Sequence, residues 1–321
     1  MFRILLVDGY NVFLRHFCVS PAMNSDGDTA GGTYGFLREL LFLAEKFKPH
    51  RIFTCWEGLN STKRRRNLFE RYKGGRKTSR LNREYENDDD QNSLDIARQL
   101  FRIGDYEQYL PICSICEDYC EADDVISFLY KEFRDSYKVI VSSDKDLWQL
   151  IDSKCVIYRS GSKMIVNERI MKNEIGILPI NWGLVKAVVG DKSDKLPGIG
   201  GVGEKTIKKL FPFISEKREY ILADIIEYAS ERKGQGKQYT KFTLPENIKR
   251  LKDNWEIVQL YTPSINDIAK ERIKEKIKVF CPIFDPIGLR RMFAEDGFTD
   301  NIRYSDKWTE VFIGLAQFLT I

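Results

Sequence analysis

Short apolar runs that stop at acidic residues set the rhythm of this chain. Residues 2–7 (FRILLV) lead into Asp8, residues 51–56 (RIFTCW) into Glu57, and residues 138–143 (KVIVSS) into Asp144 and Asp146. Runs of this length bounded by turn residues predict buried strands, and another is predicted near 107–116. Between them the period changes. Tyr34, Leu37, Leu41 and Ala44 share one face of a predicted helix over about 33–47. Residues 94–103 also read as helix, and Val125, Ile126, Leu129 and Phe133 form the apolar stripe of a helix over 121–133. A helical LWQLI follows the strand at 138, and residues 155–166 predict a hairpin. From about residue 179 the pattern is mostly helical, with the polar stretch 230–242 expected as a linking loop. Strands alternating with helices up to about residue 150 predict a mostly parallel sheet with flanking helices. The acids at the strand ends then meet at the carboxyl edge, where open α/β sheets form sites.

A chain of 321 residues with 43% apolar content supports one large or two closely joined domains. We divide it at 1–178 and 179–321. The net charge, +4, is small, but its distribution is uneven. Lys63, Arg64, Arg65, Arg66, Arg71, Lys73, Arg76, Lys77, Arg80 and Arg83 face one acid, Glu70, with Phe69 and Tyr72 interleaved. A solvated loop is the ordinary fate of a charge run, but a sign this pure favours phosphate neutralisation. Residues 84–90 turn acidic and are assigned no metal. Seven cysteines, an odd number without a secretory framework, suit reduced intracellular thiols. Cys113, Cys116 and Cys120 lack a fourth ligand, so zinc and iron–sulfur sites are not expected. The apolar start is too short for a signal peptide, and no run reaches the roughly 18 residues that span a bilayer. A soluble cytoplasmic protein without membrane contact is expected.

Asp8, Glu57, Glu121, Asp123, Asp124, Asp144, Asp146, Asp191 and Asp194 all stand at predicted strand ends, helix starts or turns. Each alone could be a cap or a surface residue. Gathered at one edge they repel unless cations sit between them. Oxygen ligands without Cys or His favour Mg²⁺ or Mn²⁺ over zinc. Two such ions roughly 3.5–4 Å apart suit phosphodiester hydrolysis. Asp191 and Asp194 run straight into Gly198, Gly200, Gly201 and Gly203, then into Lys205, Thr206, Lys208 and Lys209. Glycines permit close backbone approach to a phosphate, and a helix start favours an anion. A dinucleotide-binding reading fails on context, since the turn follows a helical segment (WGLVKAVVG) deep in the chain. A helix–hairpin–helix grip on duplex backbone fits better.

These motifs resemble the 5′-nuclease family of flap endonucleases, phage 5′-to-3′ exonucleases and the 5′-nuclease domain of bacterial DNA polymerase I. GDKSDKLPGIGGVGEKT at 190–206 is similar to the family's helix-3-turn-helix entry, EADD at 121–124 and SSDKDLWQLI at 142–151 to its central acidic motifs. DGYN at 8–11, GDTAGGTYGFL at 27–37, RRRNLFERYKGGR at 64–76 and the later ENIKRLKDNWEIVQL extend the likeness over most of the chain. The resemblance implies a PIN-like mostly parallel sheet flanked by helices, followed by a mostly helical region with the helix-3-turn-helix. It implies one metal site around Asp8, Glu57, Glu121 and Asp123 with Asp124 close by, and a second around Asp144, Asp146, Asp191 and Asp194. Lys73 and Arg76 would contact the scissile phosphate, assisted by Arg65 or Arg66, below an arch built from the segment 63–93. The glycine turn with Lys205 and Thr206 would hold duplex and leaves room for a K⁺ ion on its carbonyls. Two departures stand out: Glu57 replaces the usual Asp, and Lys195 a usual Asn.

The implied activity is Mg²⁺-dependent 5′-to-3′ exonuclease and flap endonuclease hydrolysis by two-metal chemistry, with Mn²⁺ as a substitute ion. Flapped, branched or nicked DNA and RNA–DNA primer junctions would be substrates, in lagging-strand replication and repair. The protein would be a monomer meeting a replicative polymerase or single-strand-binding protein. With no polymerase region following, a free-standing nuclease is expected, in the host cytoplasm if phage-encoded. A catalytically silent DNA-structure-binding protein and an RNA-directed nuclease are the alternatives. Intact acids count against the first and the duplex-gripping turn against the second.

Overall fold

β1 (Arg3–Asp8) is buried from Ile4 onward and pairs in parallel with a strand on each side. Its neighbours are β2 (Arg51–Glu57) and β4 (Tyr137–Val141). With β3 (Ile112–Glu117), β5 (Cys155–Arg159) and β6 (Met164–Val166) the sheet runs in the order β3-β2-β1-β4-β5-β6. Only β6 is antiparallel, closing the expected hairpin on β5. The chain winds one way through β1 to β3 and the other way through β4 and β5. The crevice between β1 and β4 is therefore the switch point where ligands bind in open α/β sheets. The computed structural model describes residues 1–74, 89–298 and 305–317.

Alternation along β1 divides the interior. Leu5 and Val7 face a core with Phe13, Phe36, Tyr106, Trp308 and Phe312. This layer is built from α1 (Gly9–Phe17), α2 (Gly31–Phe47), α4 (Asp89–Glu107), α13 (Pro286–Glu295) and α14 (Ser305–Ala316). Ile4 and Leu6 face the other core, with Phe53, Ile126, Leu129, Leu147, Trp182 and Phe211. That core starts at α5 (Ala122–Glu132) and continues into α7 (Trp182–Val189), α8 (Glu204–Leu210) and α9 (Leu222–Glu231). It therefore crosses the boundary drawn at residue 178, with Trp148 and Trp182 in ring contact at 5.4 Å. Among the described residues no helix is long and apolar enough to cross a membrane.

Several elements differ from expectation. α1 follows β1 without a loop, and Asp8 caps it by accepting from the Asn11 N–H at 3.2 Å. α4 is longer than expected, so β3 begins at Ile112. Residues Asp146–Leu150 wind as a 3₁₀ turn. The stretch expected as a loop contains α10 (Lys237–Phe242), because Phe242 is buried edge-on against Phe211 at 4.9 Å. The short α3 (Lys63–Leu68) carries the basic segment, and α6 (Glu168–Ile170) and α12 (Asp267–Val279) are further helices. A small antiparallel pair, β7 (Gly190–Asp191) with β8 (Leu196–Pro197), was not foreseen. Lys195, in its turn, takes a left-handed conformation with φ 60°. Asn adopts that conformation more readily than most residues, which accounts for the family's usual choice there.

Candidate active site

Separate strands, a helix start and two turns carry the acids to the carboxyl edge. Asp8 ends β1 and is nearly fully buried. One of its oxygens accepts from Asn11 N–H, the other from the Ser142 hydroxyl at 2.7 Å. The Asn11 side-chain oxygen accepts in turn from Ser143 N–H at 3.0 Å, joining the exit of β4 to α1. Glu57 ends β2. Glu121 stands at the N-cap position of α5 without a side-chain bond to the helix, and Asp123 and Asp124 lie in the first turn. Asp144 and Asp146 follow β4, where Trp182 donates its indole N–H to the Lys145 carbonyl at 2.7 Å. Gln149 donates to the Asp146 and Val258 carbonyls, both at 2.9 Å. It thereby anchors this loop to the end of α11 (Pro245–Val258). Asn254 of the same helix donates to the Ala187 and Pro197 carbonyls at 2.9 and 3.0 Å, holding α7 against β8 and so presenting Asp191 and Asp194.

Three cations, Arg65 and Lys186 buried and Lys73 half-buried, hold these acids. Lys73 places its ammonium 2.6 Å from Glu121 and 3.7 Å from Glu57, and its backbone N–H donates to the Asp194 carbonyl at 3.2 Å. Arg65 reaches Glu121 at 2.9 Å and Asp124 at 3.0 Å. Lys186 pairs with Asp146 at 2.8 Å and with Asp191. Lys186 was missed in the sequence. Its signal was a single charge inside an otherwise apolar helix, Trp182 to Val189.

The electrostatics report crowding. Burial, opposed by hydrogen bonds from Ser142 and Asn11 but aided by the charges of Asp144 and Glu57, pushes Asp8 up to about 7. Burial, then Asp144, raises Asp146 to about 7 despite Lys186. Burial followed by Asp144 and Asp8 pushes Asp123 well above the carboxylate range. Asp191 goes the other way, to about 2, because Lys186 and Ser193 outweigh its desolvation. Lys73 and Lys186 are both held above the usual lysine range: burial opposes this, and their anionic partners outweigh it.

Two expected residues change roles. Arg65 is only 5% exposed, and its Nε–H donates to the Ile257 carbonyl at 2.9 Å. It is an internal clamp, buried with Nη1 on two acids and Nε on a main-chain carbonyl. Asp124 has one oxygen on Arg65 and the other on Ser264 N–H at 2.7 Å, so its expected place beside a metal is taken. Replacing Arg65 by Met strands these carboxylates, and a loss of about 3–5 kcal/mol in unfolding free energy is expected from urea titration. A change within about 0.5 kcal/mol, the ordinary surface value, contradicts the clamp.

The glycine turn also divides. A Cβ at Gly198 would sit 2.0 Å from the Val189 carbonyl oxygen, so packing on α7 explains that glycine. Gly200, Gly201 and Gly203 are exposed, with Lys205 exposed and Thr206 half-buried beside them. The Gly200 carbonyl accepts from the Lys241 ammonium at 2.6 Å. Arg66 is exposed, its Nε donating to the Tyr72 carbonyl at 3.2 Å. Arg76 and the rest of residues 75–88 of the expected arch lie outside the described residues.

The arrangement fits divalent cations by its donor set. Glu121 Oε1 is buried with no hydrogen-bond partner, an unpaired acceptor whose burial is costly unless something binds it. The donors are oxygens throughout, as hard cations require. Among the described residues no three of these acids close around one point ready to hold an ion. The ion pairs explain this, since Lys73, Arg65 and Lys186 draw the carboxylates toward their own nitrogens.

Residues 3–176 match the family model of the 5′-3′ exonuclease N-terminal, resolvase-like domain. The chain is 28% identical over 283 residues to a 5′-3′ exonuclease of Aquifex aeolicus, covering 86% of this chain and 88% of that one. It is 30% identical over 211 residues to a thermostable DNA polymerase I of Thermus thermophilus, covering 65% of this chain. Of that polymerase's length the chain spans about a quarter, 24%. The fold is similar to T5 5′-exonuclease, solved with bound divalent metal ions (zinc). The TM-score there is 0.71 at 16% identity, over 86% of this chain and 99% of that one.

Proposed function

The chain belongs to the 5′-3′ exonuclease family, and from that membership we propose that it is a Mg²⁺-dependent nuclease cutting DNA at 5′ flaps and nicks. The observation that carries the reading is the buried carboxylate edge, with an unpaired Glu121 oxygen and three cations paired to its acids. Asp8, Glu57, Glu121, Asp123 and Asp144 would hold one ion, and Asp144, Asp146, Asp191 and Asp194 a second. Bound there, Mg²⁺ or Mn²⁺ supplies an acidified water and charge stabilisation for phosphodiester hydrolysis.

The chain's own groups do the rest. Ser142 and Asn11 fix the Asp8 carboxylate from both sides, so its orientation costs nothing at the moment of reaction. Lys73, charged and half-buried at the acid cluster, neutralises the phosphate at the cut, helped by Arg66 and Arg76. Lys186 keeps Asp146 and Asp191 together against their repulsion. Gly200, Gly201, Gly203, Lys205 and Thr206 grip duplex backbone, with Lys241 on the turn carbonyl where a K⁺ ion was expected. The substrates are flapped or nicked DNA and RNA–DNA primer junctions, and a replicative polymerase is a natural partner.

The test is a 5′-labelled flap duplex incubated with Mg²⁺ and then with excess chelator. Release of a short 5′ product that stops on chelation is expected; an uncut duplex in both Mg²⁺ and Mn²⁺ contradicts the reading. A stability signature accompanies it. Asp8 and Asp146 rise from 3.8 to about 7 in the folded state. Folding therefore takes up protons on them. That stabilisation is full below about pH 4 and is lost as pH rises through about 7. Divalent cations replace the lost protons. The gain in melting temperature on adding Mg²⁺ should grow between about pH 5.5 and 8, as differential scanning fluorimetry can read. A gain that shrinks over that range contradicts the assignment.

A further inference from the structure

Beside Glu57, on the side away from Lys186, a recess of about 510 Å³ opens between β2, β3 and α4. This is the size range of small-ligand pockets. Tyr10, Trp56, Leu100, Phe101, Glu107 and Ser114 line it, and most of its lining is carbon. Phe101 is 79% exposed at the mouth, an unusual place for a large apolar ring. At the base, Glu107 is only 6% exposed, yet its Oε1 has no hydrogen-bond partner. The neighbouring Thr54 hydroxyl is likewise buried without one. Thr54, Ser114 and Trp56 stand close enough to this carboxylate to offset part of the upward push of burial, but none bonds Oε1, and a ligand donating an N–H there would satisfy it.

We propose that this recess receives one unpaired nucleobase of the strand being cut, its ring against Trp56 and Tyr10 and its exocyclic amine donating to Glu107. The inference rests on the nuclease reading given above. The occupant follows from continuity: Glu57 belongs both to the recess and to the carboxylate edge. A phosphate at that edge brings its own base within reach of the recess and brings no other aromatic group. A paired base cannot enter, because its ring is stacked and its edge is occupied. Adenine, cytosine and guanine carry the amine that Glu107 lacks. Thymine has no exocyclic amine, only a ring N3–H flanked by two carbonyl oxygens that repel the same acceptor, and is disfavoured. Stacking tolerates any base, so the preference is one of degree.

Flap DNA with 2-aminopurine placed in turn at each nucleotide near the junction tests this, with Ca²⁺ replacing Mg²⁺ so that binding is read without cutting. Stacking quenches this base, and it carries the amine. Quenching confined to one unpaired position is expected. In Gly104→Phe the recess is filled from an α4 position where an added Cβ meets nothing within 4 Å, so the helix tolerates it. That variant should lose the quenching and raise KM about fivefold or more. Glu107→Met should erase the preference for cytosine over thymine at that position while leaving quenching in place. Uniform quenching along the flap, or an unchanged KM and quench in Gly104→Phe, overturns the recess as a base site. An unaltered cytosine preference in Glu107→Met overturns the amine contact. If wild-type protein neither binds nor cuts the flap, the nuclease reading falls and takes the inference with it; cutting without quenching removes the inference alone.

Discussion

Asp146→Asn is expected to lower single-turnover cleavage of a 5′-flap DNA by at least about 10²- to 10³-fold, the usual cost of one preorganised charge at a reacting centre. Affinity for the same DNA in Ca²⁺ should change little. The substitution is nearly isosteric. The anchors of the loop are backbone and neighbouring groups, namely Trp182 on the Lys145 carbonyl and Gln149 on the Asp146 carbonyl. An amide leaves both intact and removes only the carboxylate charge facing Asp144 and Lys186. Full activity in this variant would sink the assignment of Asp146 to a cation site.

Lys73→Met should also cost about 10²- to 10³-fold in single-turnover rate, but with an opposite effect on the metal. The Lys73 ammonium competes for Glu121 and Glu57. Removing it leaves Glu121 with Arg65 and Tyr72 and raises the affinity of the cluster for divalent cations. Turnover that falls while Mn²⁺ binding tightens separates a phosphate-contacting lysine from a structural one. A structural lysine would weaken both, and an unchanged single-turnover rate refutes the role. The main chain at residue 73 already holds a left-handed conformation, φ 49°, secured by its N–H on Asp194. A side-chain change therefore starts from the same backbone.

Much of this was legible because β-strands and acids alternate in plain order. The runs ending at Asp8, Glu57 and Asp144 are strands of one sheet, and the edge they share follows from parallel topology. What was illegible depends on pairing in space. Arg65 sits in a run of cations and reads as a phosphate contact. Only its distances to Glu121, Asp124 and the Ile257 carbonyl show a clamp. Asp124 is indistinguishable from Asp123 in the motif, yet one residue further round the helix its side chain meets Ser264 instead. Lys186 lies outside the quoted motifs, and Gln149 and Asn254 lie inside two of them with nothing in the pattern to say what they hold. Their effect is to hold loop carbonyls and carboxylates from a neighbouring layer. α10 was lost to a polar composition that conceals one buried ring, Phe242. Gly198 and Gly201 look alike in sequence, but the first avoids a backbone carbonyl and the second takes φ 80° in the turn.

The most direct measurement counts ions. Titration of the metal-free protein with Mn²⁺, followed by electron paramagnetic resonance of the free ion, reads binding without any substrate. Two ions per chain are predicted for the wild type and one for Asp146→Asn. No stoichiometric binding by the wild type, at neutral pH and low ionic strength, would contradict the claim that this carboxylate edge is a divalent-cation centre.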